Sequence, residues 1–212
     1  MGYDAHLAKA PFPGSKQNAF VNAMDRYQRY VSLARNYIPP IITESNQSEW
    51  LLNGGGSLTF QLYQSSTIVN DVTIGSALLK PGDFIQESLS KLLTAAYIAA
   101  PVLKVLVGTK IPYIKFISWL WSNLVPLRQM SYFIYGGYWK AKPISPLGLC
   151  YNPIYGRSSN QELINGSCEA DLKQDDVIFL IPDQSEEILR QFGDLFVVRA
   201  ETYQGRWAVL KF

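Results

Sequence analysis

The stretch Leu51-Leu52-Asn53-Gly54-Gly55-Gly56-Ser57 is an apolar run that ends in three glycines and a hydroxyl. A second stretch, Val72-Thr73-Ile74-Gly75-Ser76, has the same order of residue types. Each pattern predicts a short β-strand followed by a tight turn, because glycine adopts backbone conformations with positive φ that other residues avoid. Either stretch alone is typical of an ordinary turn. Two such turns at the ends of neighbouring strands would point their free backbone N–H groups at one anion, and we predict a phosphate there.

A helix is predicted before the first glycine turn. It begins near Ser15, a suitable N-cap, and ends before Pro39-Pro40. Its apolar face, read from helical spacing, consists of Phe20, Met24, Tyr27, Val31 and Ala34. With strands expected at residues 49–53 and 68–74, the first part of the chain alternates between strand and helix. This alternation predicts a parallel α/β architecture with ligand-binding loops at the carboxyl ends of strands.

From about residue 92 the sequence is dominated by strand-like runs rich in Val, Phe and Leu. Strands are predicted at residues 95–106, 177–181, 195–200 and 207–212. Gln204-Gly205 is predicted to be the hairpin turn between the last two. We therefore expect an α/β portion with the phosphate-binding turns over residues 1–91, followed by a mainly antiparallel β domain over residues 92–212.

Composition excludes several function classes. The net charge of +2, with Lys and Arg scattered along 212 residues, argues against a nucleic-acid-binding protein. One histidine and two cysteines, Cys150 and Cys168, are too few for a structural zinc site, and buried free thiols are favoured over a disulfide. The most apolar region has no uncharged run longer than the twelve residues 116–127, which is short of the ~20 that a spanning helix needs. We expect a cytoplasmic protein that does not cross a membrane.

An ordered set of motifs resembles a known family. Met1-Gly2-Tyr3-Asp4-Ala5-His6, Asn53-Gly54-Gly55-Gly56-Ser57-Leu58 and the run 72–81 are similar to the carboxyl half of fold-type III pyridoxal-phosphate enzymes. These are alanine-racemase-like barrels of the D-threonine aldolase and D-serine dehydratase type. Gly136-Gly137-Tyr138 and the run 155–162 look like their C-terminal domain. The resemblance implies the carboxyl-terminal part of a (β/α)8 barrel followed by an antiparallel β domain.

The resemblance also implies pyridoxal phosphate as cofactor and a D-amino acid or 3-hydroxy amino acid as substrate. The reaction would be racemisation, aldol cleavage or β-elimination, which places the chain with the isomerases or lyases. The cofactor phosphate would lie against five residues of the two turns: Gly55, Gly56, Ser57, Gly75 and Ser76.

Further site residues are implied outside the two turns. His6 and Tyr3 would lie beside the cofactor ring as catalytic residues, and Gly137 and Tyr138 would line the substrate side of the cleft. The alternatives stay open: ordinary tight turns, and a His and Tyr with structural roles.

Two features of the family pattern are missing here. No lysine has the context of the Schiff-base lysine, which the family carries on its first barrel strand. The stretch 181–186 has neither the His nor the Cys through which dehydratase relatives hold zinc, so we expect no metal. We therefore expect a truncated or split enzyme that is inactive alone and works as a homodimer or with a partner supplying the N-terminal half. The alternative is a non-catalytic subunit or remnant that binds a phosphate-bearing ligand or a partner chain.

Overall fold

Two units make up the chain. The computed structural model describes residue 7 and residues 15–38, 41–42, 48–65, 68–109 and 128–209. The first unit comprises residues 1–80 with 84–93, and the second comprises residues 81–83 with 94–212. Among the helices of these described residues, none is both long and apolar enough to cross a membrane.

Helix α1 (Ser15–Arg35) confirms the helix predicted from the apolar spacing. Its buried residues are Phe20, Met24 and Val31, three of the five predicted for that face. Phe20 packs edge-on against Tyr63, with ring centroids 4.9 Å apart. These contacts form the small core of the first unit, together with Leu7.

Short strands and 3-10 helices complete the first unit. Strands β1 (Ile41–Ile42) and β2 (Ser48–Glu49) are antiparallel, whereas β3 (Asn53–Gly54) and β4 (Asp71–Val72) are parallel. The 3-10 helices between residues 60 and 89 are Phe60–Ser65, Ser76–Leu78, Gly82–Phe84 and Glu87–Leu89. The third of them begins in residues assigned to the second unit and ends at Phe84 of the first.

The parallel pair is much shorter than the predicted strands 49–53 and 68–74. The side chain of Asn70 provides the physical reason. Its Nδ2 donates to the carbonyl of Trp50 at 2.8 Å, and its Oδ1 accepts from the N–H of Leu52 at 2.8 Å. A side-chain amide therefore takes backbone groups that a longer ladder would use. One parallel pair is a small part of a (β/α)8 barrel, so the barrel portion stays a prediction.

The second unit is built on a six-stranded antiparallel sheet, which confirms the mainly antiparallel β character predicted for this part of the chain. Its strands, in chain order, are β5 (Ile98–Val107), β6 (Met130–Tyr135), β7 (Ala141–Ser145), β8 (Cys150–Tyr151), β9 (Gln161–Gly166) and β10 (Val177–Pro182). Their order across the sheet is β7-β10-β5-β6-β9-β8. The edge strands approach each other, since the Tyr151 hydroxyl donates to the Ala141 carbonyl at 2.8 Å. The sheet is thus a nearly closed barrel.

The core of the second unit lies on the inner face of this barrel. Its fully buried residues include Val102, Tyr132, Ile134, Ile164, Ile178 and Leu180. These residues alternate along their strands with others that face the opposite way, as the two-residue period of a strand requires. Helix α2 (Ser185–Leu189) follows β10 and adds Ile188 to the core.

The terminal hairpin corrects one prediction. Strand β11 (Leu195–Arg199) agrees with the sequence pattern, but its partner β12 is Thr202–Trp207, before the predicted strand 207–212. The turn is formed by Ala200 and Glu201, with φ of 48° and 61°, and not by Gln204-Gly205. Gly205 pairs instead with Val197, next to a shift in register. A two-residue hairpin turn of this kind requires positive φ at both central positions, and here two non-glycine residues adopt it.

Candidate functional site

The two glycine turns follow the two parallel strands. Asn53 pairs with Asp71 and Gly54 pairs with Val72, so β3 and β4 end at the same edge of their small sheet. The turn after β3 begins at Gly55, and the turn after β4 leads to Gly75. Because parallel strands share their carboxyl edge, the register brings both turns to one place, as the sequence predicts.

The first turn requires glycine at two positions. Gly55 has a φ of +89°, and a Cβ on it would lie 2.9 Å from Cγ1 of Val72. A Cβ on Gly54 would lie 2.7 Å from Cε1 of Tyr63. Both distances are shorter than ordinary carbon contacts, so the backbone here approaches its neighbours more closely than a residue with a side chain could.

A hydrogen bond joins the two turns. The hydroxyl oxygen of Ser57, in the first turn, accepts from the N–H of Ala77, just after the second, at 3.1 Å. A Cβ on Gly75 would lie 3.7 Å from the same oxygen. Ser57, Gly75 and Ser76 are therefore neighbours in space, although the two turns are separated in sequence.

Several donors at these turns have no acceptor among the described residues. Within the described part of the chain, the N–H groups of Gly55, Gly56 and Gly75 are not donated to any backbone or side-chain oxygen. Ser57 accepts from Ala77 but donates its own hydroxyl proton to no described residue. The Gly56 carbonyl accepts from the N–H of Phe60 at 2.9 Å, which starts the following helical turn. Uncommitted N–H donors in a glycine-rich turn are what an anion-binding nest requires.

Side chains beneath the turns hold the two strands together. The Asn53 Nδ2 donates to the Thr73 hydroxyl at 2.7 Å and to the carboxylate of Asp71. The Tyr27 hydroxyl of α1 donates to the Asn53 carbonyl at 3.1 Å, and burial raises the pKa of Tyr27 above its ordinary value. These contacts connect α1, β3 and β4, so they fix the positions of the two strands that precede the turns.

The other four predicted residues lie outside the described part of the first unit. Tyr3 and His6 lie outside the described residues. Gly137 and Tyr138 belong to the second unit, after β6. A Cβ on Gly137 would lie 1.9 Å from Nε1 of Trp139, and Tyr138 is 63% exposed with a φ of 56°.

A buried ion pair next to these residues was missed from the sequence. The Arg157 Nε donates to Glu162 Oε1 at 2.5 Å and its Nη2 donates to Oε2 at 3.0 Å. The Glu162 side chain is 0% exposed and that of Arg157 is 27% exposed. The guanidinium also lies 3.7 Å from the centre of the Tyr151 ring and donates to the Trp139 carbonyl. The signal was an acidic residue inside the apolar strand 161–166 with an arginine five positions earlier.

The ion pair shifts the titration of its neighbours. Burial lowers the pKa of Arg157, but the hydrogen bond to Glu162, followed by the electrostatic effects of Tyr151 and Glu162, outweighs it and raises the value overall. The pKa of Tyr151 is raised strongly, mainly by burial, although the Arg157 charge acts in the opposite direction. At neutral pH Arg157 is therefore protonated and charged and Tyr151 is protonated and neutral, which suits a structural role.

Comparison with known proteins shows a similarity of fold. No protein-family model matches the chain, and no curated protein matches it. The chain is similar in fold to a D-threonine aldolase. The crystal structure of D-threonine aldolase from Filomicrobium marinum matches with a TM-score of 0.67 at 15% sequence identity. The match covers 98% of this chain and 51% of the aldolase chain, so the chain spans about half of that protein's length.

Both cysteines are free thiols, as favoured from the sequence, but neither is fully buried. Cys150 is half-buried, and burial raises its pKa, whereas Cys168 is exposed. Within the described ranges, no group of three His, Cys, Asp or Glu side chains is placed to hold a metal ion. The glycine turns are therefore the part of the described structure with the clearest ligand chemistry.

Proposed function

We propose that this chain forms the phosphate-binding segment and the C-terminal domain of a pyridoxal-phosphate-dependent enzyme that acts on D-amino acids or 3-hydroxy amino acids. The observation that carries the proposal is the pair of joined glycine turns, whose N–H groups at Gly55, Gly56 and Gly75 have no acceptor among the described residues. The fold likeness to a D-threonine aldolase supports it, because the motifs that resemble fold-type III enzymes include these same turns.

The residues of the turns fit a phosphate in three respects. Gly55 and Gly56 carry no side chain of their own that would stand between their N–H groups and an anion. The uncommitted donors point to an acceptor-only ligand, and hydrogen bonds to a dianion are stronger than those to a neutral group. No lysine or arginine is assigned to the turns, so binding here would depend on backbone dipoles and the Ser57 hydroxyl.

The proposed role of the chain is to hold and orient the cofactor. When bound, pyridoxal phosphate acts as an electron sink for a carbanion next to the substrate nitrogen. Ser57 would donate its hydroxyl proton to a phosphate oxygen while it continues to accept from the Ala77 N–H. The bracing through Asn53 and Tyr27 would keep the turns, and hence the cofactor, in a fixed position. Tyr3 and His6 stay predictions for the ring contacts, and no lysine of this chain is assigned to the Schiff base.

Among the three reactions that the resemblance implies, we favour aldol cleavage, because the similar fold belongs to an aldolase that acts on D-threonine. The second unit would supply the substrate side, with Gly137 and Tyr138 as the candidate residues. By analogy with barrels of this type, a homodimer or a partner chain would complete the site.

Three ligands test whether the phosphate group is what the protein binds. Pyridoxal phosphate, pyridoxal and inorganic phosphate are titrated separately, and each sample is then reduced with borohydride and analysed by mass spectrometry. We expect pyridoxal phosphate to bind at least tenfold more tightly than pyridoxal, and inorganic phosphate to compete with it. Equal affinity for pyridoxal and its phosphate would refute the phosphate site. Tight, phosphate-competitive binding without a reducible adduct would support a half-enzyme whose Schiff-base lysine lies in the N-terminal half.

A matched pair of variants locates the binding. Ser57→Ala removes one donor to the phosphate and the link to Ala77, so we expect about tenfold weaker binding of pyridoxal phosphate. Ser90→Ala changes an exposed serine of the same unit and should leave the affinity unchanged. Equal affinity of the two variants would remove the glycine turns from the proposal.

A further inference from the structure

A cavity of about 360 Å³ in the second unit is separate from the glycine turns. It lies on the outer face of strands β5, β6 and β9. Leu106, Ser131 and Phe133 point to this face, because Tyr132 and Ile134, which alternate with the last two on β6, are in the core. A volume of this size is within the range of small-molecule sites.

The chain that follows β8 forms the other wall of the cavity. Asn152 is buried and fixes this segment: its Oδ1 accepts from the N–H groups of Ile154 and Tyr155 at 2.8 and 2.9 Å. Its own N–H donates to the Leu163 carbonyl of β9 at 2.9 Å. Tyr155 and Leu163 both line the cavity, so the wall is anchored on the sheet by hydrogen bonds.

The floor of the cavity is a network of four buried polar side chains. The Asn152 Nδ2 donates to Thr109 at 3.2 Å and to Asn165 Oδ1 at 2.8 Å. The Asn165 Nδ2 is within hydrogen-bond distance of Thr109, Ser131 and the Met130 carbonyl, at 3.0, 2.9 and 3.1 Å. The hydroxyls of Thr109 and Ser131 are 3.2 Å apart, and both residues line the cavity.

Counting hydrogens in this network leaves one donor over. Thr109 and Ser131 each carry one hydroxyl proton, and a single hydrogen bond between them can use only one of the two. The oxygens of both Asn side chains already accept from other groups. Among the described residues, no further oxygen accepts from either hydroxyl. Thr109 and Ser131, which both line the cavity, therefore keep one buried hydroxyl proton for which no described residue supplies an acceptor, and this is costly unless a ligand or water supplies one.

We infer that this cavity is a binding site for an uncharged, largely apolar small molecule with one acceptor oxygen, such as a ketone or an ester. The apolar body would lie against Leu106, Phe133 and Leu163, and the oxygen would accept from the Thr109–Ser131 pair. None of the described lining residues carries a formal charge at neutral pH, so the site selects against an ionic ligand. The inference is independent of the proposed cofactor site.

Two probes of equal shape test the inference on the full chain. Acetophenone carries a carbonyl oxygen, and α-methylstyrene has a CH₂ group in its place. Both are titrated by NMR, with the methyl resonances of Leu106 and Leu163 as reporters. We expect saturable binding of acetophenone, about tenfold tighter than that of α-methylstyrene, because only the ketone satisfies the spare donor. Absence of binding, or equal affinity for the two probes, would overturn the inference without any variant being made.

Two tryptophan variants test whether acetophenone binds inside this cavity. Leu106→Trp fills the cavity, whereas Val107→Trp puts the same side chain at the next position, which is 78% exposed and outside the cavity. Acetophenone binding should be lost in the first variant and kept in the second, with thermal melts of both to confirm folding. Unchanged binding in a folded Leu106→Trp protein would also overturn the inference.

Discussion

The buried ion pair of the second unit gives the sharpest stability prediction. Arg157→Met removes the cation and leaves the Glu162 carboxylate, which is 0% exposed, with the Ser158 N–H at 3.2 Å as its one remaining hydrogen-bond donor among the described residues. Breaking a buried pair on one side typically costs about 3–5 kcal/mol, because an uncompensated charge is left in a poorly solvated place. The Trp139 carbonyl loses its donor at the same time. We therefore expect a loss near the upper end of that range.

The assay is urea unfolding at neutral pH, followed by circular dichroism. The double variant Arg157→Met/Glu162→Leu removes both charges, and we expect it to recover most of the lost free energy of unfolding, since apolar replacement of a whole buried pair is often neutral. Lys140→Met breaks the exposed pair with Glu187, at 67% and 41% exposure, and should cost less than about 1 kcal/mol. The reasoning is refuted if Arg157→Met costs no more than Lys140→Met. The single variant Glu162→Leu is measured as well. A double variant that loses as much free energy of unfolding as Arg157→Met and Glu162→Leu lose in sum would also refute the reasoning.

Three further predictions follow from single residues. Gly55→Ala places a side chain at φ +89°, so it should lower the free energy of unfolding by about 1–3 kcal/mol and weaken pyridoxal phosphate binding. Gly193→Ala is the control, because no atom lies within 4 Å of its Cβ position. It should change the free energy of unfolding by less than about 0.5 kcal/mol in urea melts. Asn152→Ala leaves buried partners unsatisfied and should cost about 2–4 kcal/mol; a loss below about 1 kcal/mol would contradict the network. The folded pKa of Tyr151 is raised, so its stabilising effect is complete below the unfolded pKa of about 10 and is lost progressively as pH rises above that value towards the folded pKa. Tyr151→Phe should flatten this alkaline loss in pH-dependent melts, and an unchanged profile would contradict it.

The elements that could be predicted from the sequence are those fixed by local pattern. The apolar spacing from Phe20 to Val31 gives a helix because only a 3.6-residue period places these side chains on one face. The strands near 98–107 and 177–182 follow from runs of β-branched and apolar residues. The adjacency of Ser57 and Gly75 follows from the rule that parallel strands share a carboxyl edge, once two glycine turns are recognised.

Prediction from the sequence was less successful where a side chain takes the place of a backbone hydrogen-bond partner, or where two charged side chains pair inside the fold. Asn70 shortens the parallel pair through its amide, and nothing in the spacing of residues 68–74 distinguishes that contact from an ordinary turn residue. The hairpin turn at Ala200 and Glu201 was misplaced because glycine at 205 is a stronger local signal than two non-glycine residues with positive φ. Glu162 is an acid in a strand whose neighbours are buried, which is tolerated only because Arg157 folds back over it from five residues away.

The same distinction separates the two proposed ligand sites. The glycine turns are visible in the sequence because their chemistry is in the backbone, and glycine marks where the backbone is exposed to a ligand. The cavity of the second unit is not visible, because its donors come from Thr109 and Ser131, 22 residues apart, and the spare proton is apparent only after the hydrogen bonds of Asn152 and Asn165 are counted. A site formed by an excess of donors over acceptors is a property of the packed network, so it is the described structure, and not the pattern of residue types, that leads to the acetophenone experiment.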